Sequence, residues 1–222
     1  MVDGVYIIRH CVYCGPGNRT RLMIAQHNRH ARRKAGTHQR LIDATRELIS
    51  AHGYGQVDIA TIAERADVSK ATFYKHFANK EVCVRELMSQ GFDALIAEIL
   101  AIPHAHPLDP AWMQRSLERV FRWADENREL VLIMVGGAAS AQLNAFGRQY
   151  MAEIIERTIV SELAQADLSG LIPPPVLAQV MTGMLIQLLG WWLENDTGYS
   201  AADMAGTMLT VLQQGAAAQK PG

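Results

Sequence analysis

Apolar residues recur every three or four positions along most of this 222-residue chain, which is the spacing of an amphipathic α-helix. Alternating apolar and polar runs bounded by Gly or Asn are missing, so the pattern predicts no strand or hairpin. It predicts nine helices, three small ones at the front and six behind. The first runs from about Thr37 to His52, where Gly53 stops it. The long fourth helix starts after Asn79 as its N-cap and runs to about Leu100. The chain is therefore expected to be all-α.

Prolines and glycines separate the helices of the rear part. Pro103, Pro107 and Pro110 end the fourth helix, and Gly136-Gly137 marks a second break. The remaining helices are predicted over about 109–126, 130–135, 140–166, 175–195 and 200–214. Ser200 and Asp203 have the spacing of a capping box at the start of the last helix, and Gly215 is expected to end it.

The second and third helices are short and lie close together. Asp58 can cap the second, Asp67 and Val68 fill a tight turn, and Ser69 can cap the third by accepting from its free backbone N–H groups. Phe73 and Phe77 are four residues apart and bury one face of the third helix. Its outward face then consists of Lys70, Ala71, Thr72, Tyr74, Lys75 and His76.

Two short helices joined by a tight turn, the second with an exposed cationic and hydroxyl face, are typical of a helix-turn-helix. Cations and hydroxyls bond phosphates, and Lys, Thr and His also reach base edges in the major groove. Lys80, at the start of the fourth helix, is expected to add a phosphate-holding ammonium beside a helix N-terminus. A solvated helix face is the alternative for Lys70, Lys75 and Lys80, and the helix-turn-helix pattern favours DNA contact. The predicted DNA-binding set is Ser69, Lys70, Ala71, Thr72, Tyr74, Lys75, His76 and Lys80.

This stretch resembles the TetR (tetracycline-repressor-like) family of transcriptional regulators. The resemblance rests on Ile59-x-x-Ile62-Ala63-x-x-Ala66-x-Val68-Ser69-x-x-Thr72-Phe73-Tyr74-x-x-Phe77-x-x-Lys80-Glu81. It implies a homodimeric, all-helical repressor with a larger effector-binding domain, and a phosphate contact for Tyr74. Two positions depart from the family. Asp58 replaces the usual Thr or Ser, so we retain its cap and not a phosphate contact. Asp67 replaces the usual Gly, and Asp tolerates a left-handed conformation better than most residues.

Charge separates the chain into parts of opposite sign. Residues 1–90 carry 14 Lys and Arg against 8 Asp and Glu, whereas residues 91–222 carry 7 against 14. The basic part is the candidate for nucleic-acid binding. We predict a basic, flexible leader over 1–35, which would act as a DNA-binding arm. The alternative is a translated upstream stretch, with synthesis beginning at Met23 and Arg29 to Lys34 retained. A helix-turn-helix domain is predicted over 36–82 and a helical effector-binding and dimerisation domain over 83–215.

Two sets of rear residues are candidates for the other functions of such a regulator. Aromatic and Met residues are predicted to line an effector pocket, although each alone is more often plain core: Trp112, Phe121, Met134, Phe146, Tyr150 and Trp191. The uncharged helix after Pro175 is apolar on a broad face and small or polar on the other, which suits a four-helix dimer interface with the last helix. The predicted interface residues are Val180, Gly183, Met184, Gln187, Met204 and Met208.

Other functional classes find little support in the sequence. Cys11-x-x-Cys14 lacks a second ligand pair, so no metal site is predicted, and Cys83 is expected to be a small core residue. Motifs of nucleophilic, phosphate-loop or zinc-protease catalysis are missing, so no catalytic residue, cofactor or enzymatic activity is expected. The uncharged helix is interpreted as buried rather than membrane-spanning, and three cysteines suit the reducing cytoplasm.

The sequence therefore predicts a repressor that binds a partly palindromic double-stranded DNA operator as a homodimer and is released by an unknown small-molecule effector. The alternatives are an activator or a ligand-independent regulator. From another class, an all-helical enzyme or carrier that uses the rear pocket remains open. Binding to the DNA that flanks its own coding sequence would separate a regulator from these last two.

Overall fold

The computed structural model describes residues 19–105, 109–135, 140–160 and 173–217. The chain divides into two compact units, residues 1–39 and 40–222. The described part of the first unit is the beginning of a helix. The second unit holds the remaining helices and the core.

Nine α-helices and no strand are found in the described ranges. The helix-turn-helix region comprises α1 (Arg19–His52), a short 3-10 turn (Tyr54–Gln56), α2 (Ile59–Arg65), α3 (Lys70–His76) and the start of α4 (Lys80–Leu100). The rear helices are α5 (Pro110–Glu126), α6 (Arg128–Val135), α7 (Ala141–Ile155), α8 (Pro174–Glu194) and α9 (Ala201–Ala217). A π-helical turn, Glu156–Val160, follows α7. The all-α expectation is confirmed.

Helix starts coincide with the residues that can cap them. The side chains of Asp58, Ser69, Asn79 and Ser140 accept hydrogen bonds from backbone N–H groups at the starts of α2, α3, α4 and α7. Each satisfies an N–H group that has no partner within its helix. The backbone N–H of Ser200 donates to Asp203 at 2.8 Å, and the N–H of Asp203 donates back to the Ser200 hydroxyl at 3.2 Å. This reciprocal pair is the predicted capping box.

Two predicted helix ends are wrong, the first because the lack of an apolar period before Thr37 was taken as the lack of a helix, and the second because Gly215 was taken as a stop. The first helix begins at Arg19 instead of Thr37, and the last continues through Gly215 to Ala217. Residues 19–35 are rich in good helix formers such as Arg, Leu, Ala and Gln, which need no apolar face to be helical. A single interior glycine costs a helix only about 1 kcal/mol, so Gly36 and Gly215 weaken their helices without ending them. The predicted seventh helix reached Ala166, and its last residues lie outside the described ranges.

The core of the second unit runs from the helix-turn-helix through α4 into the rear helices. Leu41, Ile62 and Phe73 are fully buried at the front, and Phe121 and Leu193 are buried at the back. Behind α4, helix α5 packs along α9, and α7 packs against α6 and α8. Because the same core joins the two ends, α4 is shared by the helix-turn-helix and the rear helices.

Helix α8 is the candidate that the sequence raised for a membrane span. Residues 175–194 are long and apolar enough to cross a bilayer, with a mean hydropathy of 1.5. Leu185, Leu189 and Leu193 of this segment are buried in the protein core. A core helix of a soluble protein meets the same criterion of length and composition, so this finding is weak evidence for a membrane span.

Candidate nucleic-acid interface

The turn between α2 and α3 is a Schellman motif. The N–H of Val68 donates to the carbonyl of Ala63 at 2.9 Å, and the N–H of Asp67 donates to the carbonyl of Glu64 at 3.0 Å. Asp67 adopts a left-handed conformation with φ of +53°, which no other non-glycine residue in the described ranges does. The tight turn inferred from the sequence is therefore present, with Asp67 in the conformation that glycine usually takes.

Helix α3 is anchored by its inner face. Phe73 and Phe77 are buried, and their ring centroids lie 5.6 Å apart. At its start, the Ser69 hydroxyl accepts from the Thr72 N–H at 3.1 Å and lies 3.0 Å from the Thr72 hydroxyl. The cap and the aromatic pair together fix the rotation of α3, and therefore which side chains point outward.

The outer face of α3 carries the residues predicted to contact DNA. Lys70, Ala71, Tyr74 and Lys75 are exposed, Tyr74 by 57%, whereas Thr72 and His76 are half-buried. Tyr74 projects to solvent although it is aromatic, with its ring edge-on to the buried Phe73 ring at 5.8 Å. Exposing an aromatic ring to water, beside lysines, does not stabilise the fold as burial of the ring would. Such exposure is typical of a binding surface.

Asp58, at the start of α2, uses its side chain as the N-cap of that helix. Its Oδ1 accepts from the N–H of Thr61 at 2.9 Å and from the Thr61 hydroxyl at 3.0 Å. These hydrogen bonds lower the pKa of the Asp58 carboxyl, with a smaller contribution from the charge of Lys70. The carboxylate is thus held ionised beside α3 and is suited to a capping role, not to a phosphate contact.

Lys80 differs from the exposed lysines of α3. Its ammonium donates to the carbonyls of Tyr54 at 2.9 Å and Val57 at 2.7 Å, and lies 3.8 Å from the centroid of the Tyr54 ring. Burial lowers the pKa of Lys80, against the opposing charges of Asp58 and Glu81. The sequence predicted a free ammonium for phosphate at this position, and the structure turns it toward the segment that precedes α2.

Five of the six predicted effector-pocket residues belong to the core of the second unit or pack against it, and Trp191 is the exception. Trp112, Phe121 and Met134 are buried in the core, Phe146 and Tyr150 are half-buried neighbours on α7, and Trp191 is 45% exposed. Its neighbour Trp192 contacts the Phe121 ring edge-on at 5.6 Å. Sequence reasoning missed Trp192 as the inward residue, although it lies three residues after the buried Leu189 and so on the same face of α8.

A surface groove of about 280 Å³ lies between α4 and α5. Its lining comprises Glu98, Ile102, Arg115, Glu118, Arg119 and Arg122, none of which was predicted as a pocket residue. Arg119 donates to Glu98 at 2.5 Å and Glu126 at 3.3 Å, and Arg122 pairs with Glu118. Because two of its arginines are paired within the chain, the groove does not offer a ready anion site.

The predicted dimer-interface residues fall into two groups. Val180, Gly183 and Gln187 are exposed and lie on one stripe of α8, and Met184 is half-buried beside them. Met204 and Met208 are 3% and 2% exposed and belong to the core of their own chain. Placing these two methionines at an interface was wrong, because the inner face of α9 is already covered by α5.

Thiol and metal chemistry receive no support from the described residues. No group of three or more His, Cys, Asp or Glu side chains suited to a metal ion occurs among them, and Cys11 and Cys14 lie outside. Cys83 is buried, as predicted for a core residue, and burial raises its pKa to about 11. A thiol of that pKa is protonated at neutral pH and is a poor nucleophile.

Two family models match the chain. The model described as "Bacterial regulatory proteins, tetR family" matches residues 41–87, from the buried part of α1 to the first half of α4. The model described as "Transcriptional regulator C-terminal region" matches residues 112–214, from near the start of α5 to near the end of α9.

Similar proteins agree with these matches. The HTH-type transcriptional repressor KstR of Rhodococcus jostii is 26% identical over 175 residues, covering 78% of this chain and 80% of that protein. The HTH-type transcriptional regulator UidR of Escherichia coli K12 is 25% identical over 154 residues, covering 68% and 77%. The structure of Thermus thermophilus FadR, a TetR-family repressor in complex with lauroyl-CoA, superposes with a TM-score of 0.65 at 18% identity, covering 83% of this chain and 99% of that one.

Proposed function

Because the chain belongs to the tetR family of bacterial regulatory proteins and is a DNA-binding transcription regulator, we propose that it is a homodimeric repressor released from its operator by a small-molecule effector. The observation that carries the DNA-binding part is the outer face of α3, where Tyr74 and two lysines are exposed over a buried aromatic pair. Lys70, Thr72, Lys75 and His76 face the major groove in this proposal, and Tyr74 bonds phosphate. The cap at Ser69 holds the helix that presents them.

The exposed face of α8 supports the homodimer. Val176, Val180, Gly183, Gln187 and Trp191 are all exposed and recur at helical spacing, so they form one stripe. Two valines and a tryptophan on such a stripe, with no charged side chain among the five, are costly in water and suit burial against a second copy. We therefore assign Trp191 to this interface rather than to the effector pocket.

A dimer would present two recognition helices, the two copies of α3, to one operator. Two copies of α3 about 34–36 Å apart would enter successive major grooves on one side of the duplex. Their operator would then be a partial palindrome that matches the two-fold axis of the dimer. The exposed cations Arg32, Arg33 and Lys34 of the first unit would add sequence-independent contacts to phosphates.

The effector part of the proposal rests on the similarity to ligand-bound repressors. FadR of Thermus thermophilus is described in complex with lauroyl-CoA, an amphipathic molecule with a long acyl chain. The rear helices of this chain are rich in Met and aromatic side chains, and their buried polar side chains in the described ranges are Ser116 and Thr182. A cavity lined by such side chains would favour an effector whose buried portion is apolar.

Selection of duplexes from a random-sequence pool tests the proposed function. The protein should enrich a two-fold symmetric sequence with half-site centres about 10 base pairs apart, or a multiple of that distance. Transcription in vitro from a promoter that contains the enriched site should fall when the protein is added. Failure to enrich any sequence would contradict specific DNA recognition, and increased transcription would indicate an activator.

The effector requires a second measurement on the same duplex. Lauroyl-CoA is a suitable first probe, with free coenzyme A as the control for its polar part. Release of the duplex by lauroyl-CoA and not by coenzyme A would support an acyl-binding rear domain. If neither lauroyl-CoA nor coenzyme A releases the duplex, acyl-CoA compounds are rejected as the effector class of this chain.

A further inference from the structure

Lys80 connects two points of the chain that flank the helix-turn-helix. It is the first residue of α4, directly after the Asn79 cap, and so marks where the chain leaves α3. Its ammonium donates to the carbonyls of Tyr54 and Val57, in the segment through which the chain enters α2. The ammonium also lies over the Tyr54 ring at 3.8 Å.

We propose that Lys80 is a positioning residue for DNA recognition. Its contacts, which we call the clasp, hold the segment before α2 against the start of α4 and so fix the orientation of α3. The proposal rests on the proposed DNA-binding function. It differs from a phosphate-contact role for the same residue, because the contacts that Lys80 makes are with its own chain.

The hydrogen-bond donors of the Lys80 ammonium distinguish a positioning role from a phosphate contact. A protonated lysine has three N–H donors, and two of them are spent on the Tyr54 and Val57 carbonyls. Lys70 and Lys75 of α3 are exposed, whereas Lys80 is half-buried. One donor remains, and the Tyr54 ring lies 3.8 Å from the ammonium. A phosphate could take only that donor and would compete with the ring for the cation, which an exposed lysine does not require.

The groups around the ammonium favour a clasp. The Tyr54 ring presents its negative face to the cation, and a partly desolvated contact of this kind is stronger than one in water. The carbonyl of Tyr54 also accepts from the Val57 N–H at 3.4 Å, so the entry segment is folded on itself at the point of contact. Asp58 and Glu81 provide the nearby negative charges. The clasp thus holds the entry segment, and through it α2 and the turn into α3.

Recognition requires such support, because side chains that read bases must be held within about 0.5 Å of their working geometry. Removing the clasp would leave α2 and α3 folded on their buried Ile62, Phe73 and Phe77, but with a less defined angle to α4. Specific binding would then fall, while the charge-driven attraction to any duplex would remain.

The test measures binding of Lys80→Met to the duplex enriched by the wild-type protein and to a scrambled duplex of equal length, over a range of salt concentrations. We expect about 10-fold weaker binding to the enriched duplex, unchanged binding to the scrambled one and an unchanged slope of log affinity against log salt. Lys34→Met, at one of the exposed cations proposed to contact phosphate, is the matched control, and its slope should fall by about 1. A fall of the slope for Lys80→Met, with equal loss on both duplexes, would show a phosphate contact and overturn the clasp. Unchanged affinity for both duplexes would also overturn it.

A double-mutant cycle with Tyr54→Leu separates the clasp from a general loss of stability. Under the clasp, Tyr54→Leu weakens specific binding on its own, Tyr54→Phe does not, and Tyr54→Leu adds little to Lys80→Met. Additive effects would contradict the clasp. If Lys80→Met fails to fold, the comparison of Tyr54→Leu with Tyr54→Phe still tests the clasp.

If the wild-type protein enriches no duplex, the proposed function fails while the clasp is still tested. Amide hydrogen exchange over residues 57–66 should then be faster in Lys80→Met and unchanged in α5 to α9. Unchanged exchange over residues 57–66 would overturn the clasp.

Discussion

At the scale of single residues, Asp67 shows how the helix-turn-helix keeps its turn without glycine. Its φ of +53° lies in the left-handed region, and the Schellman hydrogen bonds around it require that conformation. Asp enters this region more readily than residues without a short polar side chain, because it can bond the local backbone. The turn therefore keeps its geometry at modest cost.

Substitutions at Asp67 should follow this backbone requirement. Asp67→Ala is expected to lower the free energy of unfolding by about 1 kcal/mol, whereas Asp67→Gly should stay within about 0.5 kcal/mol of the wild type. Urea denaturation at equilibrium measures both. Asp125→Ala, at an exposed position within α5, is the matched control and should have little effect. Equal stability of Asp67→Ala and Asp67→Gly would contradict the account of the turn.

Cys83 is a second residue whose surroundings determine its chemistry. The Thr45 hydroxyl donates to the carbonyl of Leu41 at 2.7 Å, so the Cys83 thiol, 3.3 Å away, donates to the Thr45 oxygen. Burial raises the pKa of the thiol from 9.0 to about 11. The folded protein therefore favours the neutral thiol.

The stability that Cys83 contributes should be complete below pH 9 and be lost as the pH rises toward 11. The sign follows because the unfolded chain loses the thiol proton first, and ionisation then favours unfolding. The loss attributable to Cys83 is on the order of 2 kcal/mol. Unfolding of wild type and Cys83→Ala, compared at pH 8 and pH 10.5, isolates it from other groups. The variant is expected to lose less stability over this interval, and equal losses would refute the assignment.

At the scale of the elements, close crossings position the rear helices around α6. A Cβ added to Gly147 of α7 would lie 2.6 Å from Met134 Cγ and 2.9 Å from Met88 Cε, so any larger residue where α7 meets α6 and α4 would force these methionine side chains to move. At Gly190 of α8 a Cβ would lie 3.3 Å from Val135 Cβ, which is tight but less severe. These contacts set how near α7 and α8 lie to α6.

Gly147→Ala is therefore expected to destabilise the protein by about 1–3 kcal/mol, although alanine is the better helix former. Gly206→Ala in α9 is the control, because its added Cβ would make only an ordinary contact with Gln114 at 3.9 Å. That variant should be equal to or more stable than the wild type. Thermal unfolding of the pair tests the crossing, and a stabilised Gly147→Ala would contradict it.

How far the sequence predicts these elements depends on whether the signal is local. The caps at Asp58, Ser69 and Asn79 and the turn at Asp67 were predictable, because each is determined by residues within one turn of helix. The location of Met204 and Met208 was not, because an apolar stripe on α9 fits a partner copy and the neighbouring α5 equally well. The contacts of Lys80 join residues more than 20 positions apart and leave no periodic signal.

At the scale of the whole molecule, the proposed dimer depends on the exposed stripe of α8. Gly183 lies in that stripe with no atom within 4 Å of an added Cβ, so a large side chain fits there in the monomer. A substitution at this position can therefore block an interface without disturbing the fold.

Gly183→Arg should yield folded monomers with weakened specific DNA binding, because a bulky charge in an apolar interface is costly to bury. Sedimentation gives the oligomeric state, and circular dichroism checks the fold. Ala145→Arg, at an exposed position of α7, is the control and should remain dimeric. An intact dimer of Gly183→Arg would exclude this face as the interface.

The central claim is that the outer face of α3 reads the operator, and binding to a library of single-base variants of the enriched duplex tests it most directly. Thr72→Val and Lys75→Met should each change the preference at particular base pairs, by about 1–3 kcal/mol for each good hydrogen bond to a base that the substitution removes. Tyr74→Phe should weaken binding to all variants alike, and Arg148→Met, an exposed cation on α7, should change nothing. If Thr72→Val and Lys75→Met both keep the wild-type order of preferences, α3 does not read the bases and the account is contradicted.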